Sequence, residues 1–195
     1  RVFRYVVPNA EGRIVLRFSA GSEPGRKTGP ALVQAIEVAT EIRPVVRINC
    51  GAEAEFIDWN SLVWSADCGF TGGRPIRSSS AVAQASPTLY DQALYQTARA
   101  GRSFSYALSL PPGLYVVHLK VAELWLKDPG KRPMDIAING RTIWRSWDAA
   151  AAAGQVGMAC DLRALNITPD KTGTIAIQAR AVGENDAILQ AIEVE

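Results

Sequence analysis

Apolar and polar residues alternate with period two along most of this chain, in short runs separated by clusters of turn residues. That spacing is the signature of antiparallel strands with one face buried. Val45–Cys50 (VVRINC) reads as a strand. Phe104–Leu110 (FSYALSL) alternates, stops at Pro111-Pro112-Gly113 and resumes as Leu114–Leu126, which predicts a hairpin on a Pro-Pro-Gly turn. Met134–Ile138 faces Thr142–Trp147 across Asn139-Gly140, the dipeptide most diagnostic of a tight hairpin. One stretch favours helix, Asp148 through Gly154, with Asp as N-cap, Gly as stop and Ala between; it is long enough for a single helical turn near 148–153. Ser78–Ser86, small and polar, reads as loop. The pattern predicts an all-β chain, a jelly-roll-like β-sandwich.

An internal repeat lies over this pattern. Residues 6–18 (VVPNAEGRIVLRF) parallel residues 167–179 (ITPDKTGTIAIQA): a β-branched residue, a Pro, a turn ending in Gly12 or Gly173, then an alternating strand. ALVQAIEV at Ala31–Val38 is matched by AILQAIEV at Ala187–Val194, with QAIEV identical. Two organisations account for this. In one, 1–42 are the C-terminal strands of a preceding domain and 45–195 a complete second domain of the same kind, with Ile42-Arg43-Pro44 as linker. In the other, 1–42 are an N-terminal β-arm, and two similar hairpins serve one fold. Read either way, the chain looks like part of a multidomain protein.

Composition narrows the function classes. The 195 residues are enough to bury a core without metal or disulfide staples. Lys and Arg number 21 against 19 Asp and Glu, scattered rather than clustered, which argues against nucleic-acid binding. No apolar run reaches the length of a membrane span, and the first residues lack the pattern of a signal peptide. Three cysteines, Cys50, Cys68 and Cys160, form neither a disulfide framework nor a zinc pattern. They read as buried free thiols, with a Cys50–Cys68 bridge as the alternative in a secreted module.

Catalysis is hard to assemble. The single histidine, His118, sits mid-strand between Val117 and Leu119, where it reads as structural. There is no metal motif, and Gly72-Gly73 lacks the lysine of a phosphate loop, so no cofactor is expected. Glu123, Asp135 and Asp148 are the carboxylates from which a glycosidase pair would be drawn, but nothing sets their separation. The aromatic inventory says more. Trp59, Trp64, Trp125, Trp144 and Trp147 are many for this length, and a sugar-binding surface needs exposed rings beside carboxylates, amides or guanidinium groups. Trp125, followed by Lys127-Asp128-Pro129-Gly130, is the ring best placed at a loop-rimmed edge.

Over residues 46–195 the chain resembles the malectin family of carbohydrate-binding domains. The resemblance rests on an ordered set of segments: RINCGAE at Arg47–Glu53, WSAD at Trp64–Asp67, FTGG at Phe70–Gly73 and LYDQALYQTAR at Leu89–Arg99. HLKVAELW at His118–Trp125, DIAINGRTI at Asp135–Ile143, WDAAAAAG at Trp147–Gly154 and the closing QAIEV complete it. It implies a lectin-like sandwich whose loops hold a short glucose-containing oligosaccharide through aromatics and an aspartate. On that mapping Trp125 keeps the first aromatic of a pair and Leu126 loses the second. Asp186 matches the aspartate, and Ala100 stands where a ring is expected. The segment from Gly73 to Pro87 offers Arg74 and Arg77 in place of an aromatic, with Tyr90 as a substitute from the next turn. The expected ligand-binding set is Trp125, Asp186, Tyr90, Arg77 and Trp64, with an oligosaccharide as partner. The alternative is a protein-interaction or assembly module, of the receptor-like or kinesin-linked kind, that has kept the fold and lost the sugar site.

Overall fold

The computed structural model describes residues 15–16, 45–83 and 91–195. The chain divides into two units, Arg1–Ile42 and Arg43–Glu195. The first copy of the repeat (apart from residues 15–16), the linker and Tyr90 lie outside the described residues, and all the strands and helices named below belong to the second unit.

Its strands run β1 (Val46–Asn49), β2 (Phe56–Ile57), β3 (Val63–Trp64), β4 (Phe70–Arg77), β5 (Thr97–Ser109), β6 (Tyr115–Ala122), β7 (Met134–Ile138), β8 (Arg141–Trp147), β9 (Ala159–Ile167), β10 (Thr174–Ala181), β11 (Ala187–Leu189) and β12 (Ala191–Val194). Among the described residues two short helices interrupt them, α1 (Ala93–Gln96) and α2 (Ala149–Ala153). One antiparallel sheet has the order β1-β12-β6-β9. The other runs β11-β5-β10-β7-β8, with β4 along the free edge of β5. β2 and β3 form a small hairpin of their own. The fold is an all-β sandwich, as the alternation predicts.

The core lies between the sheets. β6 buries Tyr115, Val117, Leu119 and Val121 while Val116, His118 and Lys120 point outward. These meet Phe104, Tyr106 and Leu108 of β5 and Ile175, Ile177 and Ala179 of β10 from the opposite sheet. Each such aliphatic side chain, fully withdrawn from water, contributes about 1.5–3 kcal/mol.

The β7–β8 hairpin is as the sequence predicts, with Asn139 and Gly140 both at positive φ (49° and 76°). α2 is capped as expected: the Asp148 carboxylate accepts from the Ala151 N–H, and Gly154 ends it at φ 79°. Three readings change. The strand expected over Phe104–Leu110 begins at Thr97, because β4 and β11 pair with its first half and carry it past Gly101-Arg102-Ser103. β5 and β6 are not a hairpin: β5 pairs with β4, β10 and β11, and β6 with β12 and β9. Pro111 and Pro112 have no N–H to give to a ladder, and the chain arches there from one sheet to the other, with the Tyr115 hydroxyl donating to the Pro111 carbonyl. α1 is a second helical turn, too short for any periodicity to announce, held by the burial of Leu94 and Tyr95.

The second copy of the repeat ends in a sheet switch rather than a hairpin. β11 belongs to one sheet and β12 to the other, and Gln190 stands between them, fully buried. Its side-chain amide donates to the Ala122 carbonyl and accepts from the Ala122 N–H, replacing the ladder the backbone leaves at the crossing.

Behind the turn after β1, the Asp67 carboxylate accepts from the Gly51 N–H (2.6 Å), from Arg99 Nε and Nη2 (2.9 and 2.6 Å) and from the Tyr106 hydroxyl (2.8 Å). Arg99 also lies 3.2 Å above the Phe70 ring. The segments NCG, WSAD and FTGG are thus three sides of one buried polar cluster. All three cysteines are free. Cys50 is wholly buried in hydrogen-bond contact with Tyr106, and desolvation raises its thiol pKa far above the ordinary value. Cys68 is exposed on the turn and Cys160 half-buried, so the expectation of buried thiols holds for Cys50 alone. The alternative bridge is not formed, since Cys50 points into the core and Cys68 out of it.

Gly51 has φ +75°, and a Cβ there would stand 2.3 Å from the Ala98 carbonyl oxygen. Gly140, at φ +76°, has nothing within 4 Å. Gly140→Ala is expected to cost about 1–2 kcal/mol, the penalty of the left-handed conformation alone. Gly51→Ala adds a backbone collision and should lower the urea midpoint several times further; equal midpoints for the two variants would contradict the close approach.

Candidate functional site

β6 ends at Ala122 because Glu123 turns the chain. Its Oε1 accepts from the N–H groups of Trp125 and Leu126, both at 2.9 Å, and this reversal sets the Trp125 ring at the rim of the sandwich. The buried Glu123 carboxylate is paired with Arg132 Nε at 2.5 Å. Arg132 in turn donates from Nη1 to the Asp186 carbonyl, and its backbone N–H donates to Asp148 Oδ2. One arginine thus ties together the loop carrying Trp125, the loop carrying Asp186 and the cap of α2.

Trp125 is half-buried rather than fully at the surface: its ring leans on the core, and its Nε1 donates to the Arg77 carbonyl at 3.1 Å. Arg77 is exposed at the end of β4, with Nη2 3.5 Å from Glu53. Asp186 is half-exposed, and its carboxylate accepts from Arg74 Nη2 at 3.2 Å. The expected set therefore divides. Trp125 and Arg77 touch, and Asp186 joins them through Arg132 and Glu123. Trp64 does not take part as a surface ring: it is buried on β3, and its Nε1 donates to Asp58 Oδ2 at 3.0 Å. On the two-residue strand β3 its neighbours draw it inward, against Leu94, Tyr95 and Leu124, where it packs. Tyr90 is outside the described residues. Ala100 is buried, paired across the sheet with Arg74 of β4 and Ile188 of β11.

Beside Arg77 a depression of about 520 Å³ opens between the turn after β1 and the start of β5, lined by Glu53, Glu55, Phe56, Arg77 and Gln96 among others. Of its lining residues only Arg77 was a candidate binding residue from the sequence. Trp59, which drew no separate attention, is the most exposed tryptophan, while Trp144 and Trp147 pack partly against the core. The signal that could have found it is Asp58-Trp59-Asn60-Ser61, a run of turn formers between two apolar pairs.

The carboxylates considered for hydrolysis are all committed. Glu123 and Asp148 are engaged as above, and Asp135 accepts from the Ser146 N–H (2.8 Å) and Arg180 Nη2 (2.7 Å). The Ser146 hydrogen bond, then Arg180, holds the Asp135 carboxyl below the usual carboxylate range. His118 points out of the four-stranded sheet, with Nε2 3.3 Å from Glu195 Oε1. Among the described residues no group of three His, Cys, Asp or Glu side chains could hold a metal ion. No described helix is long and apolar enough to cross a membrane.

The malectin domain family model matches residues 44–192. The chain belongs to the malectin domain family. It is 30% identical over 176 residues to Receptor-like protein 4 of Arabidopsis thaliana, covering 78% of this chain and 27% of that protein, so it spans about a quarter of that relative. Among solved structures, the ANX1 ectodomain from Arabidopsis thaliana superposes with a TM-score of 0.68 at 16% identity, over 76% of this chain and 47% of that one. A chain of the complex of the plant peptide RALF23 with FER and LLG2 gives 0.69 at 18% identity, over 76% and 47%. A β-glucuronidase of Bacteroides uniformis gives 0.65 at 20% identity, over 78% of this chain but 18% of that one. At these identities the likeness is one of fold. The malectin fold is thus present in both receptor ectodomains and a segment of an enzyme.

Arg132→Met would leave the Glu123 carboxylate buried without its partner, which costs about 3–5 kcal/mol. Urea unfolding should show that loss, while Lys131→Met at the exposed neighbouring position stays within about 0.5 kcal/mol of the parent. Because the folded-state pKa of Asp135 is depressed, its contribution to stability is present above the unfolded value of about 4 and is lost as pH falls through the folded value. Asp135→Asn should therefore flatten the acid limb of the stability–pH curve; an unchanged limb would mean that the Ser146 and Arg180 contacts do not persist in solution.

Proposed function

We propose that this malectin domain is a non-catalytic carbohydrate-binding module of a larger protein, recognising a short glucose-containing glycan at the Trp125 end. The observation that carries this reading is the fixed indole. Hydrogen-bonded to the Arg77 carbonyl and seated on the core, it offers a ring face at little entropic cost to the C–H face of a sugar. Asp186, Arg74 and Arg77 stand nearby as hydroxyl partners. The absence of catalysis is supported by the engagement of Glu123, Asp135 and Asp148 in structural hydrogen bonds, which leaves none of them placed as an acid–base pair. Residues 1–42 fit this reading as the closing strands of a preceding malectin-like repeat.

A second reading is a protein-interaction or assembly module. It is favoured by the Arg74–Asp186 ion pair, which already occupies the aspartate, and by the missing ring at Ala100. The sequence relative is a receptor-like protein, which suits it as well.

Titration of the full chain with glucose disaccharides, alongside a glycan array, separates the two. The sugar reading expects saturable binding that Trp125→Ala weakens by at least about tenfold, the size of a lost stacking anchor. Absence of binding to every glycan at millimolar concentrations would leave the protein-interaction reading in possession of the site.

A further inference from the structure

The corner of the molecule around the β2–β3 hairpin has no place in the sugar reading. Ile57 and Val63 stand opposite each other on that hairpin and are 65% and 50% exposed, and Trp59 on the turn between them is 66% exposed. Single apolar side chains at a surface are ordinary, but three on one short hairpin form a patch. The turn is also rigid. Asp58 accepts from the N–H groups of Asn60 (2.8 Å) and Leu62 (2.9 Å) and from Trp64 Nε1, while the Trp59 N–H donates to Asp91 Oδ1 at 3.0 Å. A chain that spends these hydrogen bonds on presenting an indole has lowered the ordering cost of binding through it.

Charge identifies the kind of occupant. No Lys or Arg lies between Arg47 and Arg74, while Glu53, Glu55, Asp58 and Asp67 do, in a chain of net charge +2. Asp67 is neutralised by Arg99 and Asp58 is taken up by the turn. Glu55 remains, together with Glu53, whose pair with Arg77 at 3.5 Å is open to water, the Glu53 side chain being 85% accessible; both carboxylates are exposed and line the depression with Arg77, Phe56 of β2 and Gln96. A cleft of about 520 Å³ is ample for a side chain of a partner.

We propose that the β2–β3 hairpin and this depression form a docking site for a peptide segment of a partner protein that carries Lys or Arg beside large apolar residues. The apolar residues cover Ile57, Trp59 and Val63, and the cations reach Glu53 and Glu55. Ile57 and Val63 beside the indole favour a peptide with large apolar side chains over a sugar, which has few apolar atoms with which to cover them. An extended segment suits the two features, because its side chains alternate in direction. The site does not rest on the sugar reading, and it shares one residue with the Trp125 end: Arg77, whose carbonyl accepts from the indole and whose guanidinium lies 3.5 Å from Glu53.

Fluorescence anisotropy with the full chain tests it, using three labelled synthetic peptides of alternating Leu/Lys, Leu/Ser and Leu/Glu. The Leu/Lys peptide should bind saturably and more weakly as salt is raised. Glu53→Gln with Glu55→Gln should weaken it by about fivefold, as for two partly solvated charge contacts. Trp59→Ala should weaken it by about tenfold or more. Leu165→Ser, at a 55% exposed position of β9, should leave it unchanged, and all variants should keep the parent near-ultraviolet circular dichroism. The proposal is overturned if Leu/Glu or Leu/Ser binds as tightly, if Leu165→Ser matches Trp59→Ala, if a glucose disaccharide competes the peptide off, or if no peptide binds.

Discussion

One buried carboxylate organises the edge of this sandwich. Asp67 is closed off from water, and a charge in that position is tolerable only while every oxygen lone pair has a donor. Gly51, Arg99 and Tyr106 supply those donors from the turn after β1 and from β5. Meeting this demand draws the chain after β1 against β5 so closely that only glycine fits at position 51. It also places Arg99 over the Phe70 ring, which fastens β4 to the sheet. Apolar burial supplies the larger share of the stability, but it does not say which loop lies against which strand. The buried anion does, because few arrangements satisfy it.

The same logic recurs at the far end of β6 with Glu123 and Arg132. There the pair holds no strand; it holds three loops, and with them Trp125 and Asp186. The Trp125 end of this malectin domain is therefore held in place by contacts separate from the core. The Trp125 ring and the Asp186 loop are tied to a clamp that is itself buried, while Arg74 and Arg77 of β4 are exposed, in the segment where the resemblance implies an aromatic. A frame of this kind can be retained while the side chains it carries change, which suits a fold found both in receptor ectodomains and within a glucuronidase chain. The β2–β3 hairpin follows the pattern a third time, with Asp58 fixing a turn that carries an exposed indole.

Strand positions, the Asn139-Gly140 hairpin and the capped turn of α2 could be read from the residues, because each depends on neighbours close in sequence. Period-two alternation, a positive-φ dipeptide and an Asp N-cap act within a few residues of themselves. The family was legible for the same reason: its segments occur in order along the chain. Of the candidate residues, Trp125 and Asp186 were named from the sequence, but the half-burial of Trp125 and the partners of Asp186 could not be. Trp64 was misplaced because alternation on a two-residue strand leaves its direction to the packing.

What the sequence by itself determined is the all-β class, the local turns and the membership of a fold family. Only the tertiary structure decided that the chain crosses between sheets from β5 to β6, that Gln190 marks a second crossing, and that Cys50 lies in the core while Cys68 lies at the surface. It alone brought Glu123 to Arg132 and Arg77 to Trp125, and made Trp59 the exposed ring. The reason is physical. Alternation tells a side chain to face in or out, but which sheet it joins, and which buried charge or carbonyl it must satisfy, depends on groups far away along the chain.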